Sequence, residues 1–143
     1  MIRLAEITDA ENLLILNEKF NGKGETTLDN VIKSLENNQQ EIVIVAAENN
    51  KLVGFVCVQI KRSFCYDNIM PEITEVFVEE GYRRNGIASE MLDFAENYCK
   101  EHYNFTHFEL LTGVENTEAQ TLYNKVGYND DNELHLSKPI NLI

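Results

Sequence analysis

Val76-Phe77-Val78-Glu79-Glu80-Gly81-Tyr82-Arg83-Arg84-Asn85-Gly86-Ile87-Ala88 runs from an apolar strand through a polar loop into the start of a helix. Ala88, Met91, Leu92, Ala95 and Cys99 then recur at helical spacing, so the helix is long. The first turn of a helix leaves backbone N–H groups unpaired and carries a partial positive charge, which makes it a site for phosphate. Gly86 has no Cβ, so a diphosphate can approach the backbone there. Ala88 keeps the next turn small, and Arg83 and Arg84 add charge that does not depend on pH.

Upstream of this stretch, Glu72–Val78 forms the strand that feeds the loop, and Ser63–Pro71 is the loop before it. Glu41–Glu48 and Lys51–Ile60 read as a hairpin around Asn49-Asn50. Val43, Val45 and Ala47 alternate with Ile42, Ile44 and Ala46, so both faces of that strand are apolar and it lies centrally in a sheet. Ile2–Ile7 is a strand. Thr8-Asp9-Ala10-Glu11 has the form of a capping box opening a helix through Phe20, which Asn21-Gly22-Lys23-Gly24 breaks. Thr27 or Asp29 starts a second helix to Glu36. Downstream, Thr106–Thr112 is a strand, Glu118–Val126 a short helix capped by Asn116 or Thr117, and Tyr128 and Leu134–Lys138 are terminal strands around the turn Asn129–Asn132. The order β α α β β β α β α β β predicts a single α/β domain over residues 1–143, with a mixed sheet of about six to seven strands and about four helices.

A chain of 143 residues is long enough for one sizeable core, and 43% hydrophobic with 25% charged residues is the balance of a soluble globular protein. No window reaches the apolar length of a membrane span, and Met1–Glu6 enters a strand pattern without a signal-peptide core. Cys57, Cys65 and Cys99 are odd in number and widely spaced, which argues against a disulfide framework and against a zinc site. A reducing cytoplasm is the expected compartment. The formal net charge of −12 opposes binding to nucleic acid and to anionic membranes. It either serves solubility alone or attracts a cationic ligand. His102, His107 and His135 are scattered, none with a metal-ligand partner at suitable spacing, and no metal is expected. No Gly-x-Ser-x-Gly motif is present, so no acyl-enzyme is expected.

Arg83, Gly86 and Ala88 fall in the spacing R-x-x-G-x-A, which resembles the coenzyme A loop of the GNAT acetyltransferases. Asn116-Thr117-Glu118-Ala119-Gln120-Thr121-Leu122-Tyr123-Asn124-Lys125-Val126-Gly127-Tyr128 resembles the family's second signature, N-x-x-A-x-x-x-Y-x-x-x-G-Y/F, in the family's order and spacing. The resemblance implies a fold in which two central parallel strands, here Glu72–Val78 and Thr106–Thr112, splay apart around the coenzyme. It implies acetyl-CoA as co-substrate and direct attack of an amine on the thioester. Val76, Phe77 and Val78 would bind the pantetheine arm and the thioester oxygen through backbone groups, with the Val76 amide as oxyanion donor. Arg83, Arg84, Asn85, Gly86, Ile87 and Ala88 would hold the diphosphate. Asn116 would bond the pantetheine arm, or serve only as a helix cap. Tyr123 would protonate the departing thiolate, or pack between helix and sheet.

The amine arrives mostly as ammonium and must lose a proton before it attacks. Glu72 and Glu75 are the candidates for that base. Strand alternation puts Glu72, Thr74, Val76 and Val78 on one face, which favours Glu72. A β-bulge would re-aim Glu75 instead, and either group can act through water. Glu80 and Arg84 depart from the Pro and Gly common in this loop, and Ala88 is the less common choice at its position. Phe64, Tyr66, Glu25, Asp29 and Asp67 lie in segments that border the acceptor in the family. The resulting expectation is an N-acetyltransferase for a small cationic amine such as an aminoglycoside or polyamine. A protein N-terminus or lysine is the other acceptor, and a non-catalytic acyl-CoA-binding module the rival class. The mostly apolar tail Pro139–Ile143 either folds back or packs across a homodimer.

Overall fold

Asn49 and Asn50 both take left-handed φ, 51° and 65°. That backbone closes a two-residue hairpin whose turn matches the right-handed twist of its strands, and asparagine tolerates it better than most residues. In chain order the elements are β1 Ile2–Leu4, α1 Ala10–Asn21, α2 Leu28–Leu35, β2 Glu41–Glu48, β3 Lys51–Lys61, β4 Met70–Val78, α3 Ile87–His102, β5 Glu109–Leu110 and α4 Thr117–Lys125. They are seen in a computed structural model, which describes residues 1–141. The chain divides between Leu111 and Thr112 into two compact units.

In the first unit the strands form one five-stranded sheet in the order β1-β2-β3-β4-β5. The first three pairings are antiparallel and β4–β5 is parallel. Cross-strand partners share a face, so Val43, Val45, Phe55, Cys57 and Phe77 lie together. On that face Leu13 and Leu16 of α1 complete a core with Val45, Leu52, Phe55 and Phe77, and Val31 and Leu35 of α2 pack at its margin. Phe20 at the end of α1 stacks on Phe77 with ring centres 5.1 Å apart. Met91, Leu92, Ala95 and Cys99 of α3 are buried on the opposite face. Their approach is close at Gly54, where a Cβ would sit 2.7 Å from the Phe77 carbonyl oxygen and 3.1 Å from Met91 Cε. A side chain there would separate β3 from β4 and lift α3.

The hairpin and the first two helices stand within a residue or two of their expected bounds, and the long helix holds the Ala88–Cys99 spacing within Ile87–His102. The start of α1 does not use the expected capping box. The Asp9 carboxylate accepts from the Glu6 N–H at 2.7 Å and pairs with Arg3, so a 3-10 turn over Ile7–Asp9 precedes the helix. Thr27 does cap α2, accepting from Asn30 N–H at 3.2 Å.

The described residues hold five strands rather than six to seven. The strand expected over Thr106–Thr112 is reduced to Glu109–Leu110, because Thr106 bonds locally to His107 and the chain turns at Gly113. Tyr128 and Leu134–Lys138 form no strand, and Leu134 and Leu136 are exposed. The Asp130 and Asp131 carboxylates accept from the N–H groups of Asn132 and Glu133, and Asn132 takes φ 67°. Side-chain bonds of this kind compete with a sheet ladder. Leu142 and Ile143 of the apolar tail lie outside the described residues. Among the described residues no helix is long and apolar enough to cross a membrane.

Candidate active site

Register decides where the two strand glutamates point. Cys57 pairs with Glu75, but Val58 pairs with Ile73, so Thr74 is an extra residue in β4. A bulge of this kind resets the alternation of side chains. Glu72, partnered by Gln59, and Glu75, partnered by Cys57, therefore share the α1/α2 face with Phe77, while Val76 and Val78 turn to the α3 face. The expectation that Glu72 shares a face with Val76 is overturned for this reason. Thr74 is exposed, as a bulged residue often is.

Backbone direction follows from one hydrogen bond. Glu79 N–H donates to the Val53 carbonyl at 2.7 Å. In an antiparallel ladder the groups of successive residues point to opposite edges, so Phe77, two residues before Glu79, faces β3 while Val76 and Val78 face away from it. The Val78 carbonyl agrees, since it accepts from Arg83 Nε at 2.7 Å. Pairing of β4 with β5 covers only Glu72–Glu109 and Ile73–Leu110. The Val76 N–H thus projects from the edge of β4 beyond the point where β5 pairing has ended, as an oxyanion donor requires.

The α1/α2 face of the sheet has two zones. Under α1 it is apolar. Further along β2, β3 and β4 it carries Glu41, Gln59, Cys57, Glu75 and Glu72, all half-buried. Gln59 Nε2 donates to Glu41 at 3.3 Å, and Ser34 of α2, with Gln59, favours the ionised form of that carboxylate. Burial holds the Glu41 carboxyl above the usual range against both. Burial, and then the Glu41 charge, does the same to Glu75. Cys57 between them is pushed well up by burial and by both carboxylates, so its thiol stays protonated. Glu72 differs in having a cation: Lys61 lies 3.5 Å from it and 3.3 Å from Glu109. Among the described residues no cation pairs with Glu41 or Glu75.

At the other end of β4 the loop folds through a 3-10 turn, Glu80–Tyr82. Lys19 and Lys51 both pair with Glu79 and hold its carboxyl below the usual range, the Lys19 hydrogen bond foremost. Arg83 turns back onto β4, its guanidinium carbon 5.8 Å from the Phe77 ring centre. Gly86 caps α3 at φ 80°, and a Cβ built on it would meet nothing within 4 Å. The first bond into the helix is Glu90 N–H to the Gly86 carbonyl at 3.0 Å, which leaves the N–H groups of Ile87, Ala88 and Ser89 without intrahelical acceptors. Ile87 is buried and anchors that turn, while Arg84, Asn85 and Gly86 are exposed. The donors, the open space over Gly86 and the positive end of a long helix fit a diphosphate.

Arg84 takes φ 66°, a conformation that costs an L-residue about 1 kcal/mol relative to glycine. This gives a physical reason for glycine at that position in similar loops. Arg84→Gly is expected to stabilise the protein by up to about 1 kcal/mol, read as the urea unfolding midpoint, and to weaken coenzyme binding in a salt-dependent way. An unfolding midpoint at or below that of the wild type would remove the strain.

The second unit contains the other signature. The Asn116 side chain accepts from Ala119 N–H at 3.2 Å, so it caps α4, and its amide N–H groups are left to donate elsewhere. Gln120 ties the helix to the Gly113 carbonyl at 2.7 Å. Tyr123 packs edge-to-face on Tyr128 with ring centres 6.3 Å apart. Burial raises the Tyr123 hydroxyl above its ordinary value, so it holds its proton at neutral pH.

Sequence reading missed Glu41, Gln59 and Cys57. The available signal was parity: Glu41 shares its face with Val43 and Val45, so a carboxylate continues the core-facing row of a central strand. A carboxylate on such a face needs a reason.

Residues 10–128 match the acetyltransferase (GNAT) family, and the chain belongs to it. An N-alpha-acetyltransferase of Saccharolobus solfataricus is 30% identical over 90 residues, covering 59% of this chain and 54% of that protein. The chain thus spans about half the length of the curated relative it matches. Among solved structures, an aminoglycoside acetyltransferase from an uncultured soil metagenomic sample, in complex with sisomicin, superposes with a TM-score of 0.85 at 16% identity, covering 99% of this chain and 96% of that one. A ribosomal-protein-alanine N-acetyltransferase from Brucella melitensis biovar Abortus 2308 gives a TM-score of 0.80 at 17% identity, covering 96% and 97%. At these identities the likeness is one of fold.

Proposed function

We propose that this GNAT protein is an acetyl-CoA-dependent N-acetyltransferase that transfers acetyl directly to a primary amine, and that the amine is a small cation. The observation that carries the reading is that Glu41 and Glu75, half-buried on central strands of a protein with net charge −12, have no cation paired with them among the described residues. Burying like charges without a partner is costly, and an ammonium group relieves that cost.

Arg84, Asn85, Gly86, Ile87 and Ala88 hold the diphosphate through charge and backbone donors, with Arg83 bracing the loop against β4. Val76, Phe77 and Val78 receive the pantetheine arm, and the Val76 N–H stabilises the oxyanion. The family signature assigns Asn116 to the pantetheine arm and Tyr123 to the leaving thiolate. Glu75 takes the ammonium proton, since Glu72 is already engaged by Lys61. The N–C bond forms, the C–S bond breaks, the thiolate receives the Tyr123 proton, and the second proton lost by the amine nitrogen restores the tyrosine.

Thiolate is a fair leaving group, since a thiol has a pKa near about 8.5. Tyr123→Phe is therefore expected to lower kcat by only about tenfold, and turnover equal to wild type would remove the acid role. The first experiment is acetyl-CoA binding by calorimetry, followed by thiol release against an aminoglycoside and spermidine. Turnover on either supports the reading. Binding without turnover on any amine favours an acyl-CoA-binding module, and no binding overturns the coenzyme site.

The similarity to an N-alpha-acetyltransferase favours a second reading, in which the acceptor is a protein N-terminus. An α-amine has a pKa of about 7.7–8.0, against about 10.4 for a lysine-like amine. Loss of Glu75 would then matter much less. Assaying an N-terminal peptide beside spermidine separates the two.

A further inference from the structure

We propose that Glu41 is a positioning residue for Glu75: the two carboxylates, brought to one face of the sheet from β2 and β4 across Cys57, work as a pair in which Glu75 takes the amine's proton and Glu41 keeps it there. The inference rests on the reading of Glu75 as the base. Glu41 is opposite Gln59, Glu75 opposite Cys57, and Gln59 and Cys57 are two residues apart on β3, so all four side chains leave the same face. Gln59 holds the Glu41 carboxylate from β3, and Ser34 of α2 favours its ionised form.

The groups around Glu75 are few. From β2 there is Glu41 and from β3 the Cys57 thiol. Along β4 there is Glu72, whose charge is met by Lys61. Neither α1 nor α2 supplies a cation that pairs with Glu75 among the described residues. A nearby negative charge favours the neutral form of a carboxyl, which makes Glu75 a stronger base than an exposed glutamate. In the transfer the substrate ammonium gives one proton to Glu75, its nitrogen bonds the acetyl carbon as the C–S bond breaks, its second proton replaces the one Tyr123 gives to the thiolate, and Glu75 returns its proton to solvent after the product leaves.

Glu41→Gln keeps the shape and an acceptor oxygen for Gln59 but removes the charge. Two readouts are expected to move together. The Glu75 side-chain carboxyl, followed by carbon NMR, should titrate at lower pH than in the wild type. The acidic limb of kcat/KM for the amine should shift to lower pH by the same amount, while KM for acetyl-CoA is unchanged. Glu41→Asp, which retains the charge, should keep the limb closer to the wild-type position than Glu41→Gln does. A Glu75 carboxyl that titrates at the wild-type pH in Glu41→Gln overturns the pairing, as does an unmoved acidic limb in an enzyme that loses turnover on Glu75→Gln. Wild-type turnover in Glu75→Gln would instead overturn the base assignment beneath it, and the NMR titration keeps the two failures apart.

Discussion

Glu75→Gln is expected to lower kcat for an alkyl amine by about 10²–10³-fold near neutral pH, the scale of losing a positioned general base. Glu72→Gln should cost only roughly twofold, the scale of losing a half-exposed ion pair. The contrast comes from one bulged residue. Without Thr74 as an extra residue in β4, Glu72 would share the α3 face with Val76, and Glu75 alone of the two would lie on the α1/α2 face. With it, both glutamates lie on the α1/α2 face, and they differ in company. Lys61 meets Glu72, whereas no cation meets Glu75 among the described residues. Burial and Glu41 hold Glu75 above the ordinary glutamate range. The basic form is the ionised one, so activity should fall as pH drops through that raised value, at a higher pH than the ordinary value of about 4.3 would give. In Glu75→Gln this limb should vanish along with most of the rate. Equal losses in Glu72→Gln and Glu75→Gln would mean that both carboxylates act through a shared water. A large loss in Glu72→Gln alone would restore Glu72 as the base.

What could be read from the chain follows the range of the forces involved. The Asn49-Asn50 hairpin, the cap on α2 and the start of α3 are fixed by residues within a few positions of one another, and each stands where its sequence puts it. Strand length is set by distant partners. Nothing in Thr106–Thr112 announces that only Glu109 and Leu110 find a partner in β4, and the alternation at Leu134–Lys138 looks the same whether a neighbour exists or not. The bulge is the most consequential case. Ile73-Thr74-Glu75-Val76 reads as an unbroken strand, and the shift appears only when β3 is laid beside it. That is why the candidate bases could be named from sequence but their faces could not. Glu41 was hidden differently: it is the first residue of an apolar run, and nothing near it in sequence fixes whether the sheet buries it.

Gly86→Ala is expected to weaken acetyl-CoA binding by about 10- to 100-fold, the cost of about one charge-assisted hydrogen bond to phosphate. At φ 80° any Cβ is strained, which should also lower stability by about 1 kcal/mol. The two effects have separate causes and separate readouts. The strain falls on the free and the bound protein alike, so it shifts the unfolding midpoint without changing affinity. The methyl group meets nothing in the protein within 4 Å, so packing contributes no penalty. What it does occupy is open space beside the N-terminus of α3, where we propose the diphosphate lies. Turnover at saturating acetyl-CoA should stay within a few-fold of wild type, because the methyl group is remote from Glu75 and the Val76 amide along the chain. Arg84 provides the internal control. It shares the left-handed backbone, with φ 66°, but already carries a side chain. Arg84→Gly should therefore gain stability where Gly86→Ala loses it. Calorimetry with acetyl-CoA on both variants decides the matter: a dissociation constant within roughly twofold of wild type for Gly86→Ala would mean that the coenzyme phosphates do not lie at the N-terminus of α3.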